Sequence, residues 1–487
     1  MKTIESLDPQ NVWKHFYALT QVPRPSGFLK PIQEFLLNFG KSLKLESFMD
    51  DAGNVIIRKP ATPGMENRKG VILQAHMDMV PQKNNDKVHD FTKDPIETII
   101  DGEWVKANGT TLGADNGMGV AAIMAVLEDN SLKHGPLEAL ITADEETGMY
   151  GAFGLKPGTV NGEILLNLDS EDEGELYIGC AGGIDTVAEF EYKKVAAPQD
   201  YFFFRVDVKG LTGGHSGDDI NKMRANANKV LVRYLTRISK KMDMYLCEIN
   251  GGNLRNAIPR EAYAVCAVPM PEKENVRIEL NIFAAEVEDE YAVTEPNMKL
   301  LLESETPRKE AIDRDTTTRL LKALTAVHHG IYAMSQDIEG LVETSSNLAS
   351  IKMVEGNTIR IATSQRSSIL SSRDDMANTV GAVFELAGAT ITVGEGYPGW
   401  KPNPSSAILK VAVEAYKRLF GVEPKVKAIH AGLECGLFLE KYPSLDMVSF
   451  GPTLRGVHSP DERMLIPTVD KFWRHLLEVL ANIPEKK

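Results

Sequence analysis

The sequence predicts an α/β protein with a central mixed sheet flanked by helices, interrupted by an inserted α+β domain. Short apolar runs alternate with helix-like apolar spacing over the first part of the chain. From about Ile184 the texture changes to longer alternating runs mixed with helical pieces, and after Trp400 the first texture returns. The simplest organisation is one domain built from both chain ends, residues 1–183 and 397–487, split by an insert at 184–396. A chain of 487 residues is too long for one compact core, which agrees with more than one domain.

Taken in order, apolar spacing predicts helices at 9–19 and 29–43, then strands at 54–57 and 71–75. A helix at 117–127 precedes strands at 137–142 and 164–168. In the insert, strands are expected at 202–208, 262–268 and 358–362, with a helix at 223–240. Helices at 405–419 and 469–480 follow. Within the insert, Asn253-Leu254-Arg255-Asn256-Ala257-Ile258 resembles Asn347-Leu348-Ala349-Ser350-Ile351, each leading towards a strand. An internal duplication and a chance match are both open readings.

Composition narrows the function. With 54 basic and 68 acidic side chains the net charge is −14, which argues against nucleic acid or an anionic membrane as the main partner. The start, MKTIESLDPQ, places acid and proline where a signal peptide has its apolar stretch. No run of about 18 apolar residues occurs. The four cysteines, Cys180, Cys247, Cys266 and Cys435, have no metal-finger spacing and read as reduced thiols of a cytoplasmic protein. A metal in this chain is therefore expected on histidines and carboxylates.

Five places carry groups suited to chemistry. The apolar run 71–75 ends in His76-Met77-Asp78, which sets His76 and Asp78 on one side of a strand. Asp78 can orient a ligating His76 and fix its tautomer; a hydrogen-bonded strand-end histidine fits equally. In Gly113-Ala114-Asp115-Asn116-Gly117 a carboxylate opens a helix, where an anion is favoured, as an ordinary N-cap would be. After the strand at 137–142 come Glu145 and Glu146. Adjacent glutamates can divide labour, one binding metal and one taking a proton from water, although a solvated acidic loop looks the same. Asp169 closes the strand at 164–168, and His458 lies in the loop Gly456-Val457-His458-Ser459-Pro460. Singly, each has a structural explanation. Together, four residues, His76, Glu145, Glu146 and Asp169, stand at or just beyond strand ends, where open α/β sheets bind ligands. Two histidines and three carboxylates suit a hydrolytic zinc pair with one bridging carboxylate.

Long motifs then carry a resemblance: LQAHMDMVPQKN (73–84), GTTLGADNG (109–117), DEETGM (144–149), LLNLDSEDEGE (165–175) and HAGLECGLF (430–438). Through them the chain resembles, essentially end to end, the aminoacyl-histidine dipeptidases, within the co-catalytic zinc peptidases that include aminoacylases and carboxypeptidases. The resemblance implies two Zn2+ per subunit, with Co2+ or Mn2+ as substitutes. It makes Asp115 the bridge, His76 and Asp169 the rest of one site, and Glu146 and His458 the rest of the other. Glu145 becomes the general base and Asp78 the orienting carboxylate, with a cis peptide between Asp115 and Asn116.

The same resemblance makes the insert a lid. His215, in Gly213-Gly214-His215-Ser216-Gly217, then polarises the scissile carbonyl, Asn256 holds substrate, and Arg366 receives the substrate carboxylate. Ser367 and Ser368 follow Arg366 where the family commonly has proline. Glu434 either binds the substrate's α-amino group or braces a helix start. The implied protein is a cytoplasmic metallopeptidase for Xaa-His and related small dipeptides, with no nucleic acid or membrane partner. A substrate clamp completed within one chain and a homodimer in which His215 reaches across are both open readings, with the homodimer preferred. An aminoacylase or tripeptidase of the same family is the alternative.

Overall fold

The computed structural model describes residues 3–486. The chain forms two compact units: Met1–Gly179, Pro402–Ala428 and Leu433–Lys487 in one, Cys180–Lys401 and Ile429–Gly432 in the other. The sequence analysis draws the junctions at 183/184 and 396/397. The main stretch of the second unit instead begins at Cys180 and ends at Lys401, where reciprocal backbone hydrogen bonds join Cys180 to Trp400; a second such pair, Gly183 with Tyr397, lies just inside it. The piece Ile429–Gly432 goes with the insert because the Ala181 N–H donates to the carbonyls of Ile429 and Ala431.

The first unit is built on an eight-stranded sheet. Its order is Glu46–Met49, Val55–Lys59, Leu137–Thr142, Val71–His76, Ile164–Asn167, Asp446–Ser449, Glu175–Cys180, Lys425–Ile429. The four strands from Leu137–Thr142 to Asp446–Ser449 run parallel, and Val55–Lys59 joins them antiparallel, so the sheet is mixed. Every residue of Val71–His76, Leu137–Thr142 and Ile164–Asn167 is buried. This is why these strands read as largely apolar runs rather than alternating ones, with Gln74 and Glu138 the interior exceptions. The helix Ala114–Glu128 packs against Val71–His76 and is buried along nearly its whole length. It starts three residues before the apolar spacing suggests, and Asp115 and Asn116 within it lie outside helical φ/ψ. A separate four-stranded sheet joins Thr98–Asp101, Trp104–Ala107, Arg463–Leu465 and Leu454–Arg455. It carries the loop of residues 456–462.

The second unit has an antiparallel sheet ordered Lys299–Ser304, Tyr201–Lys209, Ala262–Pro269, Tyr245–Gly251, Val342–Val354, Thr358–Ser367, Gly182–Glu191, Thr390–Val393. Gly330–Met334 pairs additionally with Val342–Val354. Helices Ala227–Ser239, Lys273–Glu290, Arg314–Ala326 and Leu370–Leu386 share one apolar core with it. The sheet is a topological duplicate. Each half has four strands and two helices, placed so that the fourth strand is outermost and the second is central. The second strands of the two halves meet at Gly251 and Ile351. One half is inserted whole after Gly182–Glu191, the first strand of the other.

The short sequence match does not mark this duplication. Residues 253–258 follow a second strand, whereas 347–351 lie inside one. The repeat exists in connectivity and the matched motifs are out of register with it.

Candidate metal centre and active site

The C-terminal ends of the three buried parallel strands deliver the first unit's site, as strand direction requires. His76 is the last residue of its strand, Glu145 and Glu146 follow Thr142, and Asp169 follows Asn167. Asp115 enters from the start of the buried helix, across a cis peptide to Asn116. His458 comes from the loop 456–462. His76 Nε2 lies 3.0 Å from Asp115 Oδ1 and 3.4 Å from Asp169 Oδ1. His458 Nε2 lies 3.2 Å from Asp115 Oδ2 and 2.9 Å from Glu146 Oε2. Two triads of ligand-type atoms result, each within 4.8 Å: His76, Asp115 and Asp169, and Asp115, Glu146 and His458. Asp115 belongs to both. A third triad, His76, Glu145 and Glu146, sets Glu145 beside them.

The electrostatics ask for cations here. Burial works against a charged His76, yet Asp169, Asp115 and Asp78 hold its proton affinity well above the imidazole range. Hydrogen bonds to Asp115 and Glu146 push His458 up to about 11. Glu146 Oε1 is buried without a hydrogen-bond partner. Carboxylates at this density need positive charge, and the neutral imidazole and carboxylate donors suit a divalent ion such as zinc. The residues therefore fit a metal pair.

Asp78 supports two of these groups at once. Its Oδ1 lies 3.4 Å from His76 Nδ1 and accepts the Glu145 N–H at 3.0 Å. Its Oδ2 accepts Ser26 Oγ–H at 2.7 Å and the Glu146 N–H at 3.3 Å. Burial opposes ionisation, but these donors keep the Asp78 carboxyl below its ordinary range. Burial, followed by Asp169, Glu434 and Glu146 nearby, raises Glu145 well above a normal glutamate despite the opposing effect of His76. Glu434 is fully buried and accepts from Gln74 Nε2 at 2.6 Å and Thr142 Oγ1 at 2.8 Å. It braces two parallel strands. It makes no side-chain cap on the helix Cys435–Lys441 that it precedes.

In the second unit, His215, Asn256 and Arg366 converge on Ser216. The two-residue strands Gly214–His215 and Ala257–Ile258 pair, and the Ser216 N–H donates to the Asn256 carbonyl at 2.8 Å. Ser216 Oγ accepts from Arg366 Nε at 3.4 Å, and Tyr397 Oη accepts from Arg366 Nη1 at 3.1 Å. Arg366 is buried, and no carboxylate among the described residues lies within ion-pair reach of it. His215 Nδ1 accepts the N–H groups of Gly217 and Asp218 and has the Asp218 carboxylate 3.4 Å away.

Comparison with known proteins bears on this arrangement. Residues 72–482 match Peptidase family M20/M25/M40. The chain belongs to this family. It is accordingly a metallopeptidase, a hydrolase of the M20 group. A cytosol non-specific dipeptidase of Escherichia coli is 46% identical over 486 residues, covering 100% of both chains. The crystal structure of an aminoacylhistidine dipeptidase from Vibrio alginolyticus superposes with a TM-score of 0.91 at 45% identity, covering 100% of this chain and 99% of that one. An aminopeptidase from Bacillus cereus shares the fold, with a TM-score of 0.61 at 16% identity over 98% of this chain and 99% of its own. No helix among the described residues of this M20 chain is long and apolar enough to cross a membrane.

Sequence reasoning on the M20 chain missed the groups behind the candidate ligands. Arg24, 2% exposed, donates to the carbonyls of Met77, Asp78 and Gly113. Glu462, also 2% exposed, accepts four successive backbone N–H groups from Leu112 to Asp115. Tyr397 meets Arg366. Only Glu462 had a signal, four residues after His458 in the same loop. Arg24 and Tyr397 reach their partners across the fold, with no pattern in the sequence to announce it.

Proposed function

We propose that this metallopeptidase is a dipeptidase that carries two zinc ions and hydrolyses Xaa-His and related dipeptides. The observation that carries the reading is the sharing of Asp115 between two ligand triads, with Glu145 alongside. His76, Asp115 and Asp169 would hold one ion, and Asp115, Glu146 and His458 the other. A zinc pair supplies Lewis acidity, making a water more acidic and a peptide carbonyl more electrophilic.

The chain's own residues supply the proton traffic. Glu145, raised by burial, takes a proton from water as its oxygen attacks the carbonyl carbon. The same carboxyl delivers that proton to the departing nitrogen as the C–N bond breaks. Asp78 fixes the backbone of Glu145, so the base keeps its place through both transfers. On the second unit, Arg366 receives the substrate carboxylate, a role suited to a buried guanidinium without an ion-pair partner. Asn256 hydrogen-bonds the substrate, and His215 donates to the carbonyl oxygen as charge builds there.

The name of the Escherichia coli relative supports dipeptide substrates and a cytoplasmic place. That of the Vibrio alginolyticus relative supports a histidine at the second position. The test is hydrolysis of an Xaa-His dipeptide, β-Ala-His, a tripeptide and an N-acetyl amino acid by zinc-loaded protein, repeated with Glu145→Ala. Cleavage of dipeptides alone, lost in the variant while zinc stays bound, is expected. Turnover of the tripeptide or acetylated compound moves the substrate class to a sister hydrolase, and undiminished variant activity removes Glu145 as the base.

A further inference from the structure

We propose that Glu462 is the positioning residue that sets the bridging carboxylate, so that metal affinity at the centre depends on it. The inference rests on the two-metal reading above. Its basis is a convergence of bonds on one short peptide segment. Glu462 Oε2 accepts the N–H groups of Leu112 at 2.7 Å and Gly113 at 2.9 Å, and Oε1 accepts those of Ala114 at 2.8 Å and Asp115 at 3.2 Å. Four consecutive amides thus point at one buried carboxylate, using the acceptor capacity of both its oxygens. The opposite side of the segment is held by a cation: Arg24 Nη2 donates to the Gly113 carbonyl, and Nη1 to those of Met77 and Asp78. Gly113 is thus held between an anion at its N–H and a guanidinium at its carbonyl.

Gly113 is needed for this close approach. Its φ is +71°, and a Cβ there would stand 2.5 Å from Arg24 Nη2 and 2.8 Å from Met79 Sδ. The loop of residues 456–462 consequently grips Asp115 twice, through His458 Nε2 at its carboxylate and through Glu462 at its N–H. The Glu462 N–H closes the loop on the Ser459 carbonyl at 3.0 Å, so the two grips cannot drift apart freely. Arg24 links the same segment to the backbone that follows His76. One ligand from each proposed zinc site is therefore fixed relative to Asp115 by these two charged groups.

The chemistry distinguishes a positioning carboxylate from a mere space-filler. Glu462→Gln is nearly isosteric, but its amide NH2 would face two of the four N–H donors. Glu462→Asp keeps both acceptor oxygens on a shorter stem. Zinc affinity of the whole protein, measured by competition with a chromophoric chelator, should fall about 10- to 100-fold in Glu462→Gln, the range typical of groups that orient metal ligands. Glu462→Asp should fall less. The electronic spectrum of the Co2+-loaded variant should shift, while the thermal midpoint of the metal-free protein moves little.

Wild-type zinc affinity in Glu462→Gln, with a lowered metal-free midpoint, would overturn the proposal and leave Glu462 a fold brace. If Glu462→Gln does not fold, Glu462→Asp and Arg24→Lys decide. Weakened zinc binding in both supports the proposal, and unchanged binding in both overturns it. A wild-type protein that binds fewer than two ions per chain would overturn the two-metal reading itself, and this inference with it.

Discussion

Asp78 shows how much one side chain can hold. It receives Ser26, two backbone N–H groups and the edge of His76, so it links the proposed base to a proposed ligand. Asp78→Asn keeps the volume but turns an NH2 group towards donors. We expect kcat to fall about 10- to 100-fold with weakened zinc retention, checked by steady-state kinetics beside metal analysis. Arg366 tests a different quantity. Its guanidinium spans Ser216 and Tyr397, a geometry that a lysine ammonium cannot reproduce. Arg366→Lys should raise KM about 10-fold or more with kcat little changed, the signature of lost ground-state binding. An unchanged KM with a reduced kcat would contradict the proposed carboxylate contact.

At the scale of elements, the site stands on strands that were legible because they are buried on both faces. Val71–His76 and Leu137–Thr142 are mostly apolar, broken inside only by Gln74 and Glu138, and a histidine or acid at or beyond the end of such a run is conspicuous. The start of the helix Ala114–Glu128 was less legible, because Asp115 and Asn116 leave the helical region and break the apolar period. The junctions of the insert depend on backbone bonds at Cys180 and Gly183, which side-chain pattern does not encode. Strands of the second unit's sheet were legible in both halves, at 202–208, 262–268 and 358–362, but the duplication was not, since connectivity can repeat while sequence does not.

The closing helix Ile466–Ala481 yields a prediction on acid stability. His475 on it is buried and donates Nε2–H to the Ala412 carbonyl at 2.8 Å. Burial pushes its pKa down to about 4. In the unfolded chain an ordinary imidazole takes a proton near pH 6.5. The folded form therefore keeps its full advantage above about pH 6.5 and loses it as pH falls towards 4. Urea unfolding of metal-free protein at pH 7 and pH 5 should show about 2 kcal/mol more acid loss in wild type than in His475→Gln. Equal losses would show that His475 does not carry the effect.

For the whole molecule, metal linkage should be uneven. All five proposed ligands belong to the first unit. A bound ion at about 100 times its dissociation constant stabilises its folded host by about 2.7 kcal/mol. Chelation followed by calorimetry should lower the unfolding temperature of that unit and leave the transition of the second in place. A uniform downward shift would refute this partition.

The ends of the second unit have a consequence of their own. Cys180 and Trp400 exchange hydrogen bonds of 2.9 Å in both directions, and Gly183 and Tyr397 do so at 3.0 and 2.8 Å. The polypeptide enters and leaves through one doorway, as a cassette does. A gene could therefore acquire or exchange this segment in a single splice between Gly179 and Pro402, with residues 429–432 of the same unit exchanged alongside it. Swapping cassettes between relatives would exchange the proposed substrate contacts His215, Asn256 and Arg366 while the five proposed ligands stay as they are.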